Sequence, residues 1–492
     1  MSHLLSISLG PVQDFIAAAR RTADLYAGSQ ILQELSKEAA RHLANNGATL
    51  IFPADKDADG ANKILAEVTA DPKRLAEETK KAVQERLLGL WNETIGKLPA
   101  EQRNLIDQAR AKEQLGSFLE FYAAWVPLDG DYPQARLAVE RLLAGRKALR
   151  DFLPTQQNDD GVPKSALDPA RAAVIDPRRW AGVNIRLEDG TYRPLRIKPT
   201  EHLDALSLLK RCYGALKSGV VVDTRTMARR SWRPEAEPDE RYGEEDDHIP
   251  EPQPYLAILV ADGDRMGELI ARQDDPQAHR GLSRTLDGFA RKARAIVPQY
   301  GGFMVYSGGD DVLAFLPVNR AVECAKELSD AFRQEVKGTL SAGVALVHYR
   351  EPLSISLQNA RDAEKAAKNG GRNALAVALH TRGGSPVAVV QPWDELSWGE
   401  LLEAYQNRQI TRGLAHELRD LVLEWQDGMR ADYLHKEAQR VLGRKEARGL
   451  RIPAPTADTP TYRKALLRFV DQLIIARFLS GLEEEAHAGT GA

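Results

Sequence analysis

The sequence predicts an α+β chain built on two ferredoxin-like units, followed by a helical C-terminal part. Three observations carry that reading. Residues 255–380 switch between hydrophobic periods of 2 and 3.6: strand 255–261, helix about 266–297, strands 302–306 and 311–316, helix 319–336, strand 339–347, helix 354–369 and strand 373–380. That is β-α-β-β-α-β with one further helix and strand. The start of the pattern is echoed 252 residues earlier: residues 4–10 fall on 256–262, Arg20 on Arg272 and residues 50–53 on 302–305. Residues 397–482 read mostly as helix, with a break near 451–460.

In the first unit, residues 4–9 read as a strand and 12–43 as one long helix, with Pro11 suited to its first turn. Residues 48–53 read as the next strand, 74–95 as a helix, 118–126 as a strand and 131–152 as a helix with a basic tail. Residues 154–190, rich in Pro, Asp and Gln, read as a loop-rich joint, and a short helix spans about 201–217. The proline-rich, acidic stretch 233–254 is the clearest linker. Any two strand–helix units look alike at this level, yet the echo predicts a duplication in which only the second copy keeps its acids, because Gly10 stands where Asp262 stands.

Composition narrows the function. A chain of 492 residues with 43% hydrophobic residues holds roughly two to four domains. A net charge of −3 excludes a uniformly polyanion-binding surface, so any nucleic-acid contact must be local. The two cysteines, Cys212 and Cys324, form no Cys-x-x-Cys, which excludes a cysteine-rich zinc ribbon. No signal pattern opens the chain and no apolar run reaches the ~20 residues that span a bilayer, so a cytoplasmic protein with no membrane partner is expected.

The chemistry centres on Ser307-Gly308-Gly309-Asp310-Asp311, set between two apolar runs, and on Asp262-Gly263-Asp264, 48 residues before Asp310 at the end of another. Two adjacent carboxylates at a glycine hairpin tip are costly unless they bind something, and a divalent metal is the obvious candidate. Phosphoryl transfer onto a hydroxyl needs such carboxylates converging to hold two metal ions. All-oxygen ligation suits Mg²⁺ or Mn²⁺ and not zinc. Asp262, Asp310 and Asp311 are the expected catalytic and metal-holding residues. Gly263 and Gly267 flank the start of a helix, where backbone N–H groups receive phosphate. Lys365 and Lys368, with Arg372 and Asn373 just beyond the helix, would hold a triphosphate. Taken singly, each feature has a plainer reading: a polar turn, a helix cap, a solvated helix face.

In combination these residues resemble a known family: the large polymerase/cyclase subunit of type III CRISPR effector complexes, in its Cmr (type III-B) branch. Residues 307–311 match its catalytic motif and 262–267 its other acidic motif. Gly343, residues 366–368 and 371–373 resemble the pattern shared with diguanylate cyclases, and Gly10-Pro11-Val12-Gln13-Asp14-Phe15-Ile16 with Arg20, Asp24, Gly28 and Ser29 resembles the Cmr-branch signature. The resemblance covers most of residues 1–380. It implies a non-catalytic palm at 1–153, a helical, loop-rich linker domain at 154–245, the catalytic palm at 246–385 and a helical domain at 386–492. It also implies that ATP is joined 3′–5′ into cyclic oligoadenylates when guide RNA pairs with target RNA, alongside other Cmr subunits. Asp264, Ser307, Gly308, Gly309, Gln13 and Ser29 would contact nucleotide. No His-Asp dipeptide occurs, so no HD-type DNase is expected, and no zinc. The rival readings are another adenylate product, a stand-alone cyclase using GTP, and a non-catalytic scaffold. A basic region (Arg444, Lys445, Arg448, Arg451, Arg463, Lys464, Arg468) reads as an RNA contact or a solvated face.

Overall fold

The computed structural model describes residues 1–59, 62–149, 161–217, 221–236, 254–395, 398–411, 413–426, 429–445, 447, 450–456 and 458–489. Most of the acidic linker therefore lies outside the described residues.

The first sheet is formed by β1 (His3–Gly10), β2 (Thr49–Phe52), β3 (Lys63–Val68) and β4 (Glu120–Pro127), in the order β2-β3-β1-β4 with every pairing antiparallel. Leu5, Ile7 and Leu9 point to one face, against α2 (Thr22–Asn45) and α3 (Pro72–Ile95), while Leu4 points to the other, against α6 (Tyr132–Ala148). Alternation along one strand thus fills two cores.

The long helix expected over 12–43 is two helices, α1 (Gln13–Ala17) and α2. Its break has a tertiary cause. Lys210, from α7 (Ala205–Leu216), is buried and donates its ammonium to the Phe15 carbonyl at 2.8 Å and to that of Ala18. A cation on the last carbonyls of α1 satisfies groups that another helical turn would have used. Pro11 precedes the cap residue Val12, outside the first turn. The strand expected from 118 begins at Glu120, because Phe118 closes α5 (Gln108–Phe118), which follows the short α4 (Ala100–Asn104). Beyond the first sheet lie the small hairpin of β5 (Asn184–Arg186) and β6 (Tyr192–Pro194), then α7 and α8 (Thr224–Arg229).

The second sheet repeats the order of the first and extends it. Its strands are β7 (Tyr255–Gly263), β8 (Phe303–Gly308), β9 (Asp311–Leu316), β10 (Leu340–His348), β11 (Ala374–Leu379) and β12 (Val387–Pro392), arranged β12-β11-β10-β7-β9-β8. The run β10-β7-β9-β8 matches β4-β1-β3-β2, so both units have the ferredoxin-like order. β11 runs parallel to β10 across α12 (Leu353–Asn369). The helix expected over 266–297 splits into α9 (Met266–Ala271) and α10 (Pro276–Gln299), the latter capped by Asp275 with Pro276 at its first turn. Ala257, Leu259 and Ala261 pack on α10 and α11 (Ala321–Val336); Leu256 and Ile258 pack with α12 in a core shared with the first unit. The C-terminal helices α13 (Trp398–Gln406), α14 (Leu414–Glu424), α15 (Ala431–Arg444) and α16 (Thr459–Gly489) extend the α10–α11 core. Three residues of the basic region are used internally: Arg444 and Lys445 pair with Glu417, and Arg463 donates to the Val422 carbonyl at the end of α14; Arg448 lies outside the described residues. No described helix is long and apolar enough to cross a membrane.

The two sheets meet where α10 crosses β2. Ala54 N donates to Ser283 Oγ at 2.8 Å, and the Tyr132 hydroxyl lies 2.6 Å from His279 Nδ1 in a buried pair. Burial, then the charge of Arg136, pushes the His279 imidazole down to about 4, with Glu140 opposing and Lys63 adding to the effect. Below pH ~6.5 the unfolded chain binds a proton that the folded chain refuses until about pH 4, so stability is full above 6.5 and falls as pH drops through that window. Chemical denaturation between pH 7 and 4.5 is expected to show a loss of about 2–3 kcal/mol that His279→Gln largely removes.

Candidate active site

The acidic hairpin turns through Gly309 and Asp310, closed by the Gly308–Asp311 pair. Gly309 takes φ +63°, open to glycine without steric cost. In the β7–β9 ladder Ala261 stands opposite Val312, so the next step sets Asp262 opposite Asp311. Strand alternation then puts both acids on the α12 face of the sheet. Gly263 makes room for the tip: a Cβ there would lie 2.9 Å from Asp310 Cβ. On the same face α12 presses onto β10 at Gly343, where a Cβ would stand 2.0 Å from the Glu364 backbone nitrogen. That close approach brings Glu364 and Lys368, one helical turn apart, over the acids. The Lys368 ammonium pairs with Asp262 and with Glu364 at 2.8 Å.

The cluster is electrostatically loaded. Burial, then the charge of Asp311, raises the Asp310 carboxyl, and burial raises that of Asp311 although its side chain reaches solvent on one side. Glu364 is pushed up to about 7 by burial, then by Asp311 and Asp264. Tyr306, at the base of the hairpin, is raised by burial and by the same two aspartates. Closely spaced acids that resist ionisation together gain most from a nearby cation.

Asp264 looks inward. It accepts from Ser341 Oγ at 2.7 Å, Thr339 Oγ1 at 2.8 Å and the Asn373 backbone N–H at 2.9 Å. It thereby pins the turn after α12, in which Gly371, Arg372 and Asn373 all have positive φ (+122°, +66° and +47°). A run of left-handed residues persists only where surroundings impose it. Asp264→Ala is expected to cost about 3 kcal/mol in urea unfolding, with Asp264→Asn costing less because it keeps one acceptor.

Comparison with known proteins identifies the family. Residues 255–376 match the model of the Cas10/Cmr2 second palm domain, and residues 4–128 match that of the CRISPR-associated protein Cmr2 N-terminal region; together they span half of the chain. The chain belongs to the Cas10/Cmr2 family. It is 23% identical to the CRISPR system Cmr subunit Cmr2 of Pyrococcus furiosus, over 84% of this chain and 65% of that protein's length. Its fold is similar to a chain of the type III-B Cmr-beta complex bound to cognate target RNA (TM-score 0.65, 12% identity, 95% of this chain and 83% of the other). It is also similar to a chain of a Csm1–Csm4 cassette in complex with cA4 (TM-score 0.55, 16% identity, 96% and 70%). At these identities the likeness is one of fold.

On this Cas10/Cmr2 scaffold the residues expected from sequence divide into three groups. Asp262, Asp311 and Lys368 come together on the α12 face, and Asp310 sits at the Gly308–Gly309 turn, over Gly263. Ser29 lines a cleft between α2 and Tyr306, with Gln33, Ser36 and Asn62. The rest stay outside the cluster: Ser307 donates its hydroxyl to the Ala290 carbonyl at 3.2 Å, Lys365, Gly267 and Gln13 are exposed, and Arg372 is exposed at the rim, where its charge is felt by Lys368. α9, with six residues, is too short to offer the helix-end phosphate site expected beside Gly267. Among the described residues no three His, Cys, Asp or Glu side chains form a preformed metal cage. Lys368 is the physical reason at Asp262, since its ammonium already neutralises that carboxylate. Two residues were missed. Glu364 was readable as the i,i+4 partner of Lys368. Tyr306 carried no signal beyond its place before the hairpin.

Proposed function

We propose that this chain is the nucleotidyltransferase subunit of a type III-B CRISPR effector complex, making cyclic oligoadenylate from ATP when guide RNA in the complex pairs with target RNA. The observation that carries this is the placing of Asp262 opposite Asp311, on the face of the second sheet overhung by Lys368 and turned toward the first palm. The family, and the relatives seen with cA4 and with cognate target RNA, support the product class and the RNA partner. Other Cmr subunits would be its protein partners, and the cytoplasm its location.

The donor set fits a hard divalent cation: it is all oxygen, burial raises the carboxyls of Asp310 and Asp311, and a side-chain ammonium already occupies a cation's place at Asp262. Asp262, Asp310 and Asp311 would hold two Mg²⁺ or Mn²⁺ ions, which when bound activate the attacking 3′-hydroxyl and neutralise the leaving pyrophosphate. Lys368, released from Asp262, stays tethered by Glu364 within reach of a triphosphate, and Arg372 adds charge at the rim. Ser29 and Tyr306 line a gap that is too narrow for a nucleotide as it stands, so a second nucleotide would be seated there only if the palms part. The domain limits that accompany this reading are 1–153, 154–245, 246–385 and 386–492.

The test is the assembled complex incubated with radiolabelled ATP and Mg²⁺ or Mn²⁺, with and without matching target RNA, products being resolved by chromatography and mass. Target-dependent adenylate rings establish the reading. A linear or mixed adenylate product keeps the site and changes the product. Normal target binding with no nucleotide product under any condition removes the enzyme and leaves a scaffold.

A further inference from the structure

We propose that Arg294 is a positioning residue through which the first palm sets the pose of the acidic hairpin; this rests on the nucleotidyltransferase reading above. Among the described residues β8 is the last strand of its sheet, so its outward carbonyls have no strand there to pair with. Arg294, on α10, donates to one of them, the Ser307 carbonyl, at 2.6 Å. Ser307 is three residues before Asp310. One turn earlier on the same helix, the Ala290 carbonyl takes the Ser307 hydroxyl at 3.2 Å. α10 therefore grips the base of the hairpin at both the backbone and the side chain of one residue.

The other arm of Arg294 crosses to the first palm. Its Nη1 lies 2.9 Å from Asp59 Oδ2, in the loop between β2 and β3, and Asp59 Oδ1 lies 2.5 Å from Lys37 Nζ on α2. The chain of contacts is α2, β2–β3 loop, α10, hairpin. Each of the three charged side chains is less than a third exposed, so the link is screened less than a surface ion pair. Nearby, Tyr26 of α2 packs on Phe303 at the start of β8, with ring centroids 5.6 Å apart. A guanidinium suits this post because its rigid fork serves a carboxylate and a carbonyl together, which a lysine ammonium on a flexible stem does not. A shift of the first palm pulls on Asp59, then Arg294, then the carbonyl that orients the Gly309–Asp310 turn. Misplacing the acids by about 1 Å is enough to cost a large factor in rate.

The test uses the full chain in four variants: Asp59→Asn, Arg294→Met, Arg294→Lys and the double Asp59→Asn/Arg294→Met. Amide hydrogen exchange is read over residues 303–311 without nucleotide, and kcat and KM for ATP are read in the assembled complex. Each single variant is expected to raise exchange at the hairpin, and to lower kcat, by about tenfold with KM and melting temperature held. The double variant is expected to be no worse than Arg294→Met, and Arg294→Lys to leave the loss unrepaired. Unchanged exchange in Asp59→Asn, losses that multiply in the double variant, or a rate loss matched by a fall in melting temperature overturns the proposal. Should the wild type make no nucleotide product, the functional reading fails while the exchange data still decide the role of Arg294.

Discussion

Replacing Asp310 and Asp311 together by alanine is expected to abolish nucleotide synthesis, by at least about a thousandfold, and to leave the chain as stable as before or slightly more so. The two effects have opposite signs for one reason. Burial raises both carboxyls and the charge of Asp311 raises that of Asp310 further, so in the free protein the pair is held at a cost. Alanine removes that cost and leaves in place the glycine turn and the Gly308–Asp311 backbone pair. It also removes the groups expected to hold the catalytic cations. Product assay and melting temperature on the same preparation check the prediction. Loss of assembly or a large fall in melting temperature would make the acids structural and would remove the main support for an enzyme.

The second large effect concerns stability. Arg211 of α7 is 3% exposed and forks to Asp24 of α2 (2.8 and 3.0 Å) and to Glu201 (3.0 and 3.1 Å), themselves 0% and 2% exposed. Burial pushes Glu201 up, but the bonds from Arg211 outweigh it and hold the carboxyl down at about 2. Arg211→Met leaves two buried carboxylates without their cation and is expected to cost about 3–5 kcal/mol. Sign and pH window follow. A carboxyl held near 2 contributes stability that is full above about pH 4.5 and is lost as pH falls toward 2. The orphaned acids of the variant, raised by burial with Arg211 gone, take up protons already above about pH 4.5, before the wild-type carboxyl does. The gap between wild type and variant therefore narrows in acid, which urea unfolding at pH 7 and pH 4 will show. A gap that is the same at both pH values would mean that Arg211 acts through packing alone.

How much of this was legible in the sequence depended on where each signal resides. In the second palm, strands and helices from Tyr255 to Leu379 fell within a few residues of their expected limits, because short apolar runs and amphipathic helices follow one another there with turn residues between them. The break before α10 was also written locally, in Asp275-Pro276, a cap followed by a proline, and was overlooked. The break after α1 was not written locally: it depends on Lys210, some 190 residues away. β3, with Ile64, Leu65, Ala66 and Val68 buried, is packed on both faces and so shows no alternation to read. At the site, the acids were readable because adjacent carboxylates on a glycine turn need a partner. The inward commitment of Asp264 was not readable, since Thr339, Ser341 and Asn373 meet it only through the folding of β10 and the α12 turn around it.

In the first palm Gly10 stands opposite Glu120, where in the second Asp262 stands opposite Ser341, and a Cβ at Gly10 would lie 2.9 Å from Glu120 Oε2. The vacant acid position is thus filled, and restoring an aspartate there would meet a carboxylate already in place. If only the second lobe carries a working centre, as proposed, the two matching lobes make a serial machine rather than a paired one. On the proposed reading each event closes a single bond, and the growing product must step along by one nucleotide before the next. Product length is then the outcome of a race between stepping and escape, and a change that slows escape alone would lengthen the product without touching the chemistry.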